Sequence, residues 1–198
     1  MNIAFFDFDG TITKKDSMFD FISFAVTKKT FLIGMIYLLP IMILTKLKII
    51  PNYRGKEILL SHFFKGMRIK NFVQLASKYS LTMIDKIVCL DALERINWHK
   101  NNGDKVVVVS ASINTWLIPW CDKNNIDLLA TELEISNNTI TGKLSSKNCH
   151  GVEKVNRIKE RYQLENYKII FAYGDTKGDK AMLELATRKY YRTFNNTL

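Results

Sequence analysis

No stretch of this sequence carries about 20 consecutive apolar residues, the length a helix needs to cross a bilayer. The run "FLIGMIYLLPIMIL" has 14 residues without a charge (31–44) and contains Pro40, which would kink a helix there. A membrane span is therefore the least favoured reading of it. A buried or substrate-facing helix comes first, and a surface that touches a membrane second. Cysteine is scarce as well. Cys89, Cys121 and Cys149 are odd in number and lack CxxC spacing. With no leader-like segment before Ile3, reduced thiols and a cytoplasmic location are expected, with peripheral membrane contact left open. There is no internal repeat, no low-complexity tract, and no aromatic-and-basic motif of the kind that points to nucleic acid. Acidic residues are thin in one region. Residues 14–95 hold 14 Lys/Arg against 6 Asp/Glu, and the rest of the chain holds 15 against 13. Most of the net charge of +10 thus sits in one segment. Such a segment attracts phosphorylated substrates, acidic lipid surfaces or nucleic acid, or is simply a solvated basic face.

What is present fits one domain with an insertion: 198 residues, 47% hydrophobic and 24% charged, enough to bury a core. Residues 3–8 (IAFFDF) read as a buried strand. "KVVVVSAS", "IDLLATELEI" and "YKIIFAYGDT" carry similar signals. Amphipathic helices are expected at about 114–124, 152–163 and 178–187, the first with Pro119 inside it and Trp116 and Trp120 packed in the core or against the insertion. Strands alternating with helices argue for an α/β fold, a parallel sheet flanked by helices. "ELEISNNTITGKLS" reads as a hairpin turning at Asn137-Asn138. Residues 17–99 show helical patterns only, opening with Ser17 as an N-cap. The expected division is a core of 1–16 and 100–198, with a helical insertion at 17–99.

In "FFDFDGTIT" an apolar strand ends in Asp7 and Asp9. At i and i+2 of a strand their side chains share a face, about 6.7 Å apart along the chain. At an effective dielectric of about 20 they repel by roughly 2.5 kcal/mol. A cation, a basic side chain or a raised pKa must compensate. Ligands of open parallel sheets sit at the carboxyl ends of strands, and those ends also carry Ser110, Gly174 and Asp175. Asp179 follows four residues later, and Lys154 lies near the start of a helix. Singly, each has a bland reading as a turn residue, a cap or a surface charge. Together, in this order, they form a constellation.

The order DFDGT, then a serine after a hydrophobic run, then lysine, then GDTKGD resembles the haloacid dehalogenase (HAD) superfamily, in its family IB, phosphoserine-phosphatase-like branch. "DLLATELEISNNTITGKL" and "NCHGVEKVNRIKE" resemble it too. The resemblance implies a HAD-like, Rossmannoid core, a helical cap inserted after the first strand, and a phosphatase. It implies that Asp7 is phosphorylated as the nucleophile and that Asp9 is general acid and base. Ser110 and Lys154 would grip the phosphoryl group, with Phe8, Asp9 and Ala111 completing the substrate cradle. Asp7, the Asp9 carbonyl and Asp175 would bind Mg²⁺. Asp179, Thr11 and Gly174 would support them, Thr11 by tying its own turn. No organic cofactor is needed.

In that branch a cap acid and an arginine read serine. Asp16 stands at a comparable spacing and is a candidate substrate contact, but Arg54 matches no such place, so phosphoserine is not favoured. The apolar run and basic cap suggest an amphiphilic, lipid-like phosphate ester among small phosphorylated substrates. The carboxyl-terminal stretch "RKYYRTFNNTL" looks short for the family, leaving a barer sheet edge. The alternatives are a receiver-like phospho-acceptor and a non-catalytic, membrane-associated protein that retains the fold. Oligomeric state is open.

Overall fold

A computed structural model describes residues 1–194. The main sheet has five parallel strands: β1 (Ile3–Phe6), β2 (Lys105–Ile113), β3 (Asp127–Thr131), β6 (Ile170–Gly174) and β7 (Arg188–Tyr191), in the order β3-β2-β1-β6-β7. A second, antiparallel pair is β4 (Leu133–Ser136) with β5 (Thr139–Leu144). The expected α/β architecture is present. Strands buried on both faces explain the continuous apolar runs. Ala4, Phe6, Val106 and Val108 belong to one core cluster, and Ile3, Phe5, Val107 and Val109 to another.

Helices fill the remainder: α1 (Ser17–Ala25), α2 (Lys28–Lys46), α3 (Asn52–Phe64), α4 (Ile69–Thr82), α5 (Ile84–Ile87), α6 (Leu90–Asn101), α7 (Asn114–Lys123), α8 (Val152–Arg161) and α9 (Lys180–Leu185). The helices between β1 and β2 share the larger core with the sheet. Phe21 of α1 stacks on Trp116 of α7 at 4.8 Å. His99 of α6 is fully buried, bonded to Asp104 at 2.8 Å and to the Tyr173 hydroxyl at 2.9 Å. The hairpin turns where expected, with Asn137 and Asn138 at φ 47° and 61°. It is joined to the α3–α4 connection by main-chain bonds: Gly66 N–H to Ile140 O (2.9 Å), Ile140 N–H to Met67 O (2.9 Å) and Ile69 N–H to Asn138 O (3.0 Å).

Several local expectations need correction. β1 stops at Phe6, short of both carboxylates. Asp16, not Ser17, caps α1, accepting from the Met18 and Phe19 N–H groups, because its carboxylate stands one residue before the helix begins. "IDLLATELEI" is two strands, not one. The edge beyond β6, expected to be barer because of the short carboxyl-terminal stretch, is covered by β7; residues 195–198 lie outside the described residues.

The largest departure is α2. It runs 19 residues without a break at Pro40 and is long and apolar enough, by length and composition, to cross a membrane. Nor is it buried as first expected: only Gly34 and Leu38 are. Proline removes one donor, but a helix held by a neighbour along its length tolerates that loss, and α3 is such a neighbour. α7 likewise continues through Pro119, with Trp116 and Trp120 buried on either side.

Candidate active site

Asp7 follows β1 directly, and its N–H still donates to Tyr173 O at 2.9 Å. Asp9 comes after the chain has left the strand, ahead of the turn made by Gly10 at φ 85°. A Cβ at Gly10 would lie 2.5 Å from Asp175 Oδ2, so both the turn and the neighbouring carboxylate require glycine. The hydroxyl tying this turn is that of Thr13, donating to Phe8 O (3.2 Å) and Lys15 O (2.8 Å). Thr11, expected in that part, instead donates to Asp175 Oδ1 at 3.1 Å.

Asp7 and Asp9 each have their own hydrogen-bond partners, although the charge of Asp9 still acts on Asp7. Asp7 Oδ1 accepts from Lys154 Nζ at 2.5 Å. Asp9 Oδ1 accepts from Ser17 N–H at 2.7 Å, and Oδ2 from the Ser112 hydroxyl at 2.5 Å. Burial, not mutual repulsion, is the main influence on each. It pushes Asp7 up to about 7 against the pull of Lys154, and Asp9 up to about 6, with Asp16 adding to the rise.

Lys154 lies in the first turn of α8 and is 1% exposed. Its Nζ also donates to Asp179 Oδ1 at 2.7 Å. Burial acts to lower the Lys154 pKa, but the two carboxylates outweigh it and hold the ammonium charged. Asp179 Oδ2 accepts from Thr176 N–H (2.9 Å), the Thr176 hydroxyl (2.8 Å) and Asp175 N–H (3.3 Å), forming a capping box at the start of a short 3₁₀ turn. Burial acts upward on Asp179, yet Lys154 brings it below the ordinary carboxylate value. Half-buried Asp175 is raised by burial, with the Thr11 hydroxyl opposing.

Ser110 is buried at the end of the β2–β3 ladder, which breaks between Ser110 and Ile113. Its Oγ accepts from Ser112 N–H at 3.0 Å. Phe8 is fully buried, edge-on to Trp120 at 5.6 Å. Gly174 closes β6. Asp16 acts on Asp9 by its charge, while its Oδ1 is engaged in capping α1.

Two groups escaped the sequence reading. Ser112 links Asp9 to Ser17, whose hydroxyl lies 2.9 Å away and accepts from Trp116 Nε1 at 3.2 Å. The period-2 spacing in "SAS" could have revealed it. Lys56, on α3 of the insertion, had no such signal. It is buried, and its Nζ donates to Ala111 O and to Asn148 Oδ1, the latter at 2.7 Å. Burial draws its pKa down to about 8. Arg54, two residues earlier, is mostly exposed and pairs with Glu57 at 3.1 Å.

Asp7, Asp175 and Asp179 each offer a carboxylate oxygen, all within 4.8 Å of one another. Such hard oxygen donors fit Mg²⁺. Asp179 spends both oxygens on Lys154 and its own loop, so the Oδ2 atoms of Asp7 and Asp175, which take no part in the bonds described, are the natural ligands. A cavity of about 310 Å³ opens beside Asp175, lined in part by Gly10, Thr11 and Arg192.

The profile described as haloacid dehalogenase-like hydrolase matches residues 4–184. The chain is 32% identical over 193 residues to Protein CicA of Caulobacter vibrioides (strain NA1000 / CB15N), covering 96% of this chain and 85% of that one. Among solved structures, a protein of unknown function from Bordetella pertussis Tohama I superposes with TM-score 0.81 at 20% identity, covering 95% of this chain and 88% of that one. A phospho-aspartyl intermediate analogue of phosphoserine phosphatase gives TM-score 0.68 at 19% identity, with coverage of 95% and 84%.

Proposed function

The chain belongs to the haloacid dehalogenase-like hydrolases, and on that premise we propose that it is a magnesium-dependent phosphatase acting on a phosphate monoester. The observation that carries this reading is the buried Asp7–Lys154–Asp179 ion-pair chain beside Asp175. Stability alone gives no reason to bury those charges beneath a row of strand ends.

In the first step a carboxylate oxygen of Asp7 attacks phosphorus, a new P–O bond forms, and the bond to the leaving oxygen breaks. Asp9 gives that oxygen its proton. In the second step Asp9 takes a proton from water, whose oxygen attacks the aspartyl-phosphate and releases Asp7 and inorganic phosphate. Asp9, raised to about 6 by burial and Asp16, keeps a proton accessible near neutral pH. Ser112 and the Ser17 N–H fix its orientation. Lys154 offsets charge on Asp7 and on the incoming phosphoryl group, and the Ser110 hydroxyl donates to a phosphoryl oxygen. Mg²⁺, held by Asp7, Asp175 and the Asp9 carbonyl, would supply positive charge that keeps Asp7 ionised and offsets the phosphoryl dianion.

The leaving group we favour is small and amphiphilic, in keeping with the cationic and apolar insertion. Lys56, which donates to the Ala111 carbonyl from that insertion, would be the cation to meet an anionic part of it.

The test is Mg²⁺-dependent release of phosphate from an aryl phosphate. Wild type should turn over many times per chain, and Asp7→Asn should lose at least about 10³-fold in rate. A single stoichiometric phosphorylation would indicate a phospho-acceptor instead. Equal rates for the two proteins would remove Asp7 as nucleophile. A panel of lipid, sugar and amino-acid phosphates then tests the leaving group.

A further inference from the structure

α2 is apolar around its whole circumference, yet packs against protein on one side only. At about 100° per residue, Phe31, Gly34, Leu38, Met42 and Thr45 fall on one narrow arc. That arc faces α3. A Cβ on Gly34 would meet the Phe63 ring at 2.5 Å, and one on Gly55 would meet Thr45 Oγ1 at 2.4 Å. The two helices therefore touch closely near both ends of α2. Leu32, Ile33, Ile36, Tyr37, Leu39 and Ile43 span the opposite arc, about 160° wide, and are 49–72% exposed, Tyr37 at its margin with one face of its ring stacked on His62 of α3 at 5.5 Å. Leu47 and Ile49, just past the helix, extend the exposed strip at 64% and 67%. A continuous apolar face of this size marks an interaction surface, and a helix apolar all round is normally buried or in a membrane.

Charge identifies the occupant. Between Asp20 and Glu57 the chain has no acidic residue, but it has Lys28, Lys29, Lys46, Lys48, Arg54 and Lys56. The first four are exposed and bracket the apolar strip. Oil between two sets of lysines, with no carboxylate to repel phosphate headgroups, complements an anionic lipid surface.

We propose that α2 is a membrane-docking element. It lies in the plane of an anionic bilayer, with the Ile36–Tyr37 face among acyl chains and the flanking lysines at headgroups. The contact with α3 argues against a span. α3 carries Arg54, Lys56, Glu57 and His62, and Lys56 is fastened to Ala111 and Asn148. Threading α2 through the hydrocarbon would either drag those groups with it or strip the helices apart. At about 28 Å, α2 matches the hydrocarbon thickness in length, which is why composition alone reads it as a possible span. The inference does not depend on the phosphatase reading.

The test is co-sedimentation of the full chain with vesicles of phosphatidylcholine and of phosphatidylcholine mixed with phosphatidylglycerol. Wild type should bind the anionic vesicles and leave most chains free of the neutral ones. The double variant Ile36→Asp/Tyr37→Asp should lose about tenfold or more in bound fraction, with the circular dichroism and melting temperature of wild type. Lys28→Glu/Lys29→Glu should weaken binding to the anionic vesicles specifically. Wild type that stays in the supernatant of both overturns the proposal, as does binding that the α2 variants leave unchanged. So does light scattering that shows a dimer which Ile36→Asp/Tyr37→Asp splits into monomers, since a second copy would then be the cover.

Discussion

The site beneath the strand ends and the outer face of α2 invert the usual distribution in opposite senses. Charged groups are ordinarily outside and large apolar ones inside. Here Asp7, Lys154 and Asp179 are 7%, 1% and 1% exposed, while Tyr37 and Ile36 are 72% and 65% exposed. The buried charges are satisfied within the molecule, each by a named partner. Most of the exposed apolar surface has no such cover, Tyr37 alone stacking one face of its ring on His62. The first arrangement is the one we propose as the reaction centre; the second is the one we propose as a docking surface.

Mutation should separate the two. The largest effect is expected at Lys154. Lys154→Met leaves Asp7 and Asp179 buried without their cation, at a cost of about 3–5 kcal/mol in urea unfolding at pH 8. The loss should shrink at pH 5, where Asp7 takes up a proton. Next comes Leu38, on the packed arc of α2 and 2% exposed. Leu38→Ala should cost about 2–5 kcal/mol by cavity formation. An effect of comparable size, read as a shift in melting temperature, is expected from pH and metal. Asp7 and Asp9 rise from 3.8 to about 7 and about 6 in the folded chain. The unfolded chain therefore gives up these protons first, and metal-free stability falls as pH rises from about 4 to about 7. Asp179, held low by Lys154, acts only below that window, where acid removes its contribution. Mg²⁺ should reverse the loss, raising the melting temperature more at pH 8 than at pH 5 in differential scanning fluorimetry. A metal response equal at both pH values would uncouple the ion from Asp7. The smallest effect is close to Leu38: Ile36→Ser, at a position 65% exposed, should change stability by no more than about 0.5 kcal/mol.

Legibility in the sequence followed the same division. Asp7, Ser110 and Asp175 could be assembled from the sequence because each follows an apolar run, and a parallel sheet brings such positions to one edge; Asp179 entered through its place in GDTKGD. Lys154 entered through its place at a helix start. Lys56 was invisible, since its reach depends on how α3 lies against β2, and no local pattern encodes that. The end of β1 falls two residues before the expected one, because "IAFFDF" does not itself reveal where pairing yields to a turn, whereas β6 ends at Gly174 as expected. The exposure of α2 was also misread. Hydrophobicity reports that a helix wants to leave water and says nothing about whether protein or something else receives it.

The hairpin β4–β5 has a mechanical consequence. Its three main-chain bonds to the segment at Gly66, Met67 and Ile69 tie the insertion to the core at a second place, well away from the covalent connections near Asp16 and Asn102. A body fastened at two separated places cannot swing open as a lid on a single hinge. A wider opening of the insertion would have to break the Lys56 contact or unzip the seam at Ile140. The Ile140 amide, at the middle of that seam, is the hydrogen-exchange reporter of which route the molecule takes.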